Sequence, residues 1–202
     1  MTGRRRLTRA FFARPAVEVA PDLLGRTLVR ILPDGRRLAG RIVETEAYEP
    51  GDPASHGFRR MSPRNATMFG RPGFLYVYFT YGNHWMGNVV ARRVGEPSAV
   101  LLRALEPLEG TAEMASFRGR GSPMDLCSGP GKLCRALAID RRLDGADLVR
   151  GPAVWLEEGT PAEPNAIATT GRVGVSVGVE PQWRFLVRSD PFVSRGRPGP
   201  PR

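Results

Sequence analysis

The stretch that most restricts how this chain can fold is FLYVYFTYGNHWMGNVVA, residues 74–91. Side chains alternate along its first seven residues, Gly82-Asn83 offers a tight-turn pair, and a second strand-like run returns. Alternation on both sides of a turn predicts a β-hairpin. Leu75, Val77 and Phe79 then share one face, and Tyr76, Tyr78 and Thr80 the other. The apolar face belongs in a core, which leaves the tyrosine face to stack on something flat. Tyr81 stands where the strand enters its turn and projects from the tip. RTLVRIL and RRLAGRIVETEAY read as two more strands around Pro33-Asp34-Gly35. PAVEVAPDLLG reads as a short helix stopped by Gly25. SAVLLRALEPLEG reads as a strand leading into a helix, and LCSGPGKLCRALAID as a loop before a short amphipathic helix. GRVGVSVG and WRFLVRSDPFVS read as closing strands. Without a regular βαβ rhythm, the fold class expected is α+β with a mainly antiparallel sheet.

The chain of 202 residues is long enough for one domain with a real core. Its Arg-rich ends, MTGRRRLTR and SRGRPGPPR, bury little apolar surface. The expected division is a basic arm over 1–8, a domain over 9–194 and a tail over 195–202. Residues 49–73 form a long Gly/Pro-rich connection, a kind that is usually functional or disordered. No apolar run approaches the ~20 residues of a membrane helix, and the start lacks a signal-peptide pattern. Cys127 and Cys134 are too few for a disulfide framework. A reducing, cytoplasmic setting is expected. The net charge of +10 points to a polyanionic partner, nucleic acid first. Because 29 of the 30 basic residues are Arg, in a chain also rich in Gly, Ala and Pro, the choice of Arg over Lys reads as codon bias; the excess of charge does not.

Four groups are candidates to carry chemistry. On the strand RIVETEAY, Glu44, Glu46 and Tyr48 share a face, a poor core surface but a usable reactive one. Hydrolysis of a glycosidic bond needs a carboxylate to activate water beside an oxocarbenium-like sugar. All four tyrosines lie between Tyr48 and Tyr81, and aromatic platforms on a basic surface hold bases. A residue at a hairpin tip can wedge between base pairs. The two histidines, His56 and His84, match no metal-binding pattern; His56 suits a hydrogen-bonding pocket and His84 a turn. Lys132, the one lysine, follows Ser128-Gly129-Pro130-Gly131 at a helix start. It reads as a phosphate contact, with a Schiff-base nucleophile as the sharper alternative.

RIVETEAY, AYEPGDPASH, SPRNATMFGRPGFLYVY, YGNHWMGNVV, VLLRALEPLEG, LCSGPGKLCRALAI and RVGVSVG, in that order over roughly Leu7 to Ser194, resemble the alkyladenine (3-methyladenine, methylpurine) DNA glycosylases. The resemblance implies a single domain with a curved antiparallel sheet, surrounding helices and a protruding hairpin that enters the minor groove. It implies excision of flipped alkylated or deaminated purines from duplex DNA: 3-methyladenine, 7-methylguanine, and also hypoxanthine and ethenoadenine. The product is an abasic site. Carried over by motif, Glu46 is the general base for water and Arg103 a partner of that water or of a nearby phosphate. Tyr48, His56 and Tyr78 clasp the base, Asn88 discriminates against guanine, and Tyr81 fills the gap. No metal or cofactor is implied, and a monomer associated with the nucleoid is expected. The hairpin tip GNH is more polar than the family pattern. Two other classes compete: a non-catalytic module that reads distorted duplex, and a hydrolase or acyl-transfer enzyme on a nucleotide or RNA.

Overall fold

The computed structural model describes residues 5–80, 82–119 and 121–198. In chain order it has helices α1 (Arg9–Phe12) and α2 (Ala16–Asp22), then strands β1 (Thr27–Ile31), β2 (Arg37–Tyr48), β3 (Phe74–Thr80), β4 (His84–Val90) and β5 (Ala99–Glu109). Helices α3 (Thr111–Arg118), α4 (Pro123–Leu126) and α5 (Pro130–Ala136) follow. Strands β6 (Ala146–Asp147), β7 (Val154–Glu157), β8 (Ile167–Thr170) and β9 (Arg184–Val187) complete it. The sheet runs β6-β3-β4-β5-β2-β1-β7, with antiparallel pairing throughout. Leu156 of β7 donates to the carbonyl of Leu148, just past β6, at 3.1 Å. The two ends of the sheet therefore approach each other, and it curls into a half-barrel. The fold class is α+β, as expected.

β2 organises the rest. One edge pairs with β5, and the other first with β1 and then, over Glu44–Glu46, with β9. The β2–β5 register slips on both sides of Glu44: Ile42 faces Leu105, Glu44 faces Ala104 and Thr45 faces Leu102. Val43 and Arg103 are left without ladder partners, and such a bulge re-aims the unpaired side chain. One face of the sheet carries the main core, in which Leu28, Ile42, Leu75, Val89, Leu102 and Leu105 are fully buried. The side-chain hydroxyl of Thr45 fastens α2 to this face by donating to the carbonyl of Ala20 at 2.9 Å. A smaller cluster of Met68, Tyr76, Val90 and Ala99 includes the inner end of the tyrosine face, with Tyr48 and Tyr78 packed against it.

Several expectations change. The hairpin closes over three residues rather than two, with Thr80 paired to His84 and Gly82 at φ +69°; Tyr81 lies outside the described residues. Phe79 is 41% exposed and packs on Trp85 instead of the core, because the end of the hairpin reaches past the core. GRVGVSVG, residues 171–178, is not a strand: Gly174 and Gly178 take positive φ, and only Val173 makes a bridge, to Pro198. Residues 146–170, to which the sequence pattern assigned nothing, supply β6, β7 and β8. Leu7 is buried and donates to Leu156 at 2.9 Å. Residues 1–4 of the expected arm and 199–202 of the tail lie outside the described residues.

Candidate active site

The tyrosine face forms one wall of a cavity of about 310 Å³ lined by Tyr48, His56, Met68, Tyr76, Tyr78, Met86, Asn88, Arg103 and Val173, among others. That size suits a small heteroaromatic ligand. Tyr76 is 1% exposed and its hydroxyl lies 3.0 Å from His56 Nδ1. Burial raises the Tyr76 phenol above its ordinary range, so it keeps its proton. Partial desolvation of the ring packed on Tyr76 and Tyr78, and then the charge of Arg64, lowers His56, which is neutral near pH 7. If Nδ1 were the donor, the buried phenol proton would have no acceptor, a costly arrangement. The network therefore assigns the phenol as donor to Nδ1 and places the histidine proton on Nε2. The His56 ring meets Tyr78 edge-on at 4.3 Å, and Tyr76 and Tyr78 lie 5.5 Å apart. Asn88, opposite Tyr76 on β4, donates to the Tyr76 carbonyl at 3.2 Å.

Two carboxylates lie behind this wall, both fully buried. Glu44 is saturated. Its Oε1 accepts from Arg103 at 2.9 Å, from Arg184 at 2.7 Å and from the Ser194 hydroxyl at 3.0 Å, and its Oε2 from the Ser194 amide at 2.7 Å. Glu46 is less constrained. Its Oε1 accepts from the Val173 amide at 2.7 Å and pairs with Arg103 at 3.2 Å, and its Oε2 accepts from the Tyr48 hydroxyl at 3.0 Å. One acceptor position is left on Oε2, on the Tyr48 side. All three partners of Glu46 line the cavity. Burial, and then the Glu46 charge, holds the Tyr48 phenol well above its ordinary range, so it donates to the carboxylate.

A buried cation supports the wall from outside the cavity. Arg172 lies 4.6 Å over the Tyr48 ring and 5.3 Å over Trp183. It donates to the carbonyls of Ala47 at 3.1 Å and Gly178 at 2.8 Å, and grips Asp52 through both terminal nitrogens. Asp52 in turn caps the amide of Ala54 at 3.0 Å, at the start of the segment leading to His56. The end of β2, the His56 loop and the 173–178 loop thus share one guanidinium.

Residues 10–191 match the model of the methylpurine-DNA glycosylase family. The chain belongs to this family. A Chlorobium phaeovibrioides protein provisionally named 3-methyladenine DNA glycosylase is 50% identical over 194 residues, covering 96% of this chain and 98% of that one. A Streptomyces avermitilis protein with the same provisional name is 49% identical, covering 97% and 94%. The human DNA-3-methyladenine glycosylase is 47% identical, covering 94% of this chain and 68% of the human one. This glycosylase is accordingly a hydrolase of N-glycosyl bonds that works on DNA.

The glycosylase brings most of its sequence-predicted site residues together. Tyr48, His56, Tyr78, Asn88 and Arg103 all line the one cavity, and Glu46 stands directly behind it. Lys132 does not line the cavity; its Nζ pairs with Asp125 and lies 3.3 Å from the Ser128 hydroxyl. His84 pairs with Thr80 at the end of the hairpin, as a turn residue would. Alternation had put Tyr76 on the reactive face, but its task of fixing the His56 tautomer depends on contact with residue 56. Asp52 was missed because it sits in an irregular segment that no periodicity marks, and Arg172 and Val173 because the valine–glycine pattern around them reads as an ordinary strand. Among the described residues no helix is long and apolar enough to cross a membrane, and no group of three or more His, Cys, Asp or Glu is placed to hold a metal ion.

Proposed function

We propose that the cavity receives a damaged purine flipped from duplex DNA and that Glu46 activates the water which replaces it. The observation that carries this reading is the environment of Glu46. It is a buried carboxylate held by Tyr48, Arg103 and Val173, with an acceptor position left behind an aromatic cavity. Tyr48 and Tyr78 stack on the base, and Asn88 screens its edge. Water sits against Glu46 Oε2 beside Arg103 and gives up its proton as the base departs, while the carboxylate steadies the developing positive sugar. Tyr81, which follows the last residue of β3 in the sequence, is proposed to fill the gap left in the stack. Lys132 contacts phosphate and takes no part in the chemistry.

The substrates proposed are cationic 3-methyladenine and 7-methylguanine and neutral hypoxanthine and ethenoadenine. Cationic bases leave readily. Neutral ones need a donor, and His56 Nε2–H supplies one. The protein is proposed to act as a monomer.

The test is single-turnover release of 3-methyladenine and hypoxanthine from duplex DNA by the wild type and Glu46→Gln. The variant keeps the shape of the side chain and removes its charge. Excision should fall by ~10²–10⁴-fold, the usual range for a general base. Binding of lesion DNA should be kept or tightened, since one negative charge near phosphate is gone. Release by Glu46→Gln near the wild-type rate would sink the assignment.

A further inference from the structure

From Pro53 to Gly95 the chain holds no Asp or Glu, yet it holds Arg59, Arg60 and Arg64 within six positions. These arginines lie on a loop that leaves the cavity at His56 and exposes every residue from Phe58 to Arg64. Two of those residues are large and apolar: Phe58 is 48% exposed and Met61 61%. Single exposed apolar side chains are ordinary surface, and such a loop could simply be solvated. Three features set this one apart. First, it is built. Asn65 accepts from the Ser62 amide at 2.6 Å and donates to the carbonyls of His56 at 2.8 Å and Arg60 at 3.2 Å. At Gly57 an added Cβ would lie 2.2 Å from Pro97, so the loop is pressed onto the body of the protein. Second, Arg64 donates to the Phe79 carbonyl at 2.9 Å, which ties the loop to the hairpin. Third, the guanidinium groups of Arg59 and Arg60 have no partner among the described residues.

We infer that the Phe58–Arg64 loop is a second DNA-binding element: Arg59 and Arg60 hold phosphates, and Phe58 and Met61 press into the duplex beside the flipped nucleotide. The occupant is duplex DNA because the patch joins stacking surface to unneutralised positive charge, in a segment free of acids that would repel phosphate. The inference rests on the reading of the cavity as a site for a flipped base. The loop leaves the cavity at His56 and is tied to the hairpin through Arg64, so it supports the duplex alongside the hairpin.

Two variants separate the parts, Phe58→Ser/Met61→Ser and Arg59→Gln/Arg60→Gln. Both lie on exposed loop surface, and unchanged thermal unfolding verifies that they fold. The probe is a short duplex carrying one tetrahydrofuran abasic analogue, titrated at several salt concentrations. The Ser pair should weaken binding by about tenfold, as expected for losing one base–aromatic contact, with the salt slope unchanged. The Gln pair should flatten the slope of log K against log salt by about two, one per lost phosphate contact. Wild-type affinity in the Ser pair, or a wild-type slope in the Gln pair, overturns the proposal. Lost self-association in the Ser pair with duplex affinity intact would reassign the patch to a contact between copies and also overturn it. Failure of the base-excision reading would show separately, as wild-type protein that binds this duplex but releases no base from duplex DNA carrying 3-methyladenine or hypoxanthine.

Discussion

His56 shows how far a single residue could be read in advance. Its place after GDPAS predicted a pocket residue, and it lines the cavity. The sequence could not say which nitrogen carries the proton, because that depends on Tyr76, twenty positions away and brought close only by the fold. Tyr76→Phe removes the donor that fixes the tautomer. Release of neutral hypoxanthine should then fall about tenfold more than release of cationic 3-methyladenine, less than the ~10²–10⁴-fold of a whole general acid because only the tautomer preference is lost. Equal losses on both substrates would remove the donor role from His56. The same histidine links stability to pH. Its folded pKa lies below the unfolded value, so the unfolded chain binds the proton first. Its contribution to stability is fully present above the unfolded pKa of ~6.5 and is lost as pH falls from there through the folded pKa. His56→Gln should therefore flatten the acid limb of a stability–pH curve measured by urea unfolding. A curve with an unchanged acid limb would show that His56 does not carry this linkage.

At the scale of elements, the hairpin and the long β2 strand were legible because alternation sets both faces of a strand. The 171–178 loop was not. Its valine–glycine pattern reads as a strand, but Gly174 and Gly178 turn the backbone and the Val173 amide goes to Glu46 instead of a ladder. A different packing rule governs how α5 meets the hairpin. Gly131 lies in α5, and a Cβ there would come within 2.8 Å of the His84 ring. In an open helix Gly→Ala gains ~1 kcal/mol. Here Gly131→Ala should destabilise by about 1–3 kcal/mol, the range for overpacking, since the atoms struck are near the His84 backbone rather than at a free end. Adding His84→Ala should restore most of that loss. Thermal or urea unfolding of the four members of this cycle measures the coupling, and additive effects would refute the contact.

Over the whole molecule, Glu44 is the junction where distant parts of the chain meet. It sits on β2 and takes Arg103 from β5, Arg184 from β9 and both donors of Ser194. Alternation correctly put Glu44 and Glu46 on one face. It could not reveal that both are buried, because the cations that make burial tolerable come from about 60 to 140 positions away. Removing one partner of a buried ion pair costs about 3–5 kcal/mol. Glu44→Gln should accordingly lower unfolding free energy by that order, while the fraction still folded keeps most of its excision rate. Low activity at full stability would instead make Glu44 the reacting carboxylate. The order of synthesis gives this junction a further meaning. A nascent chain that has emerged only as far as β8 carries Glu44, Glu46 and Arg103 but not Arg172, Val173, Arg184 or Ser194. Glu44 then lacks the Arg184 guanidinium and both donors of Ser194, and Glu46 lacks the Val173 amide. On the ribosome the wall of buried carboxylates is therefore completed last, and an interrupted translation product is left without a finished cavity wall.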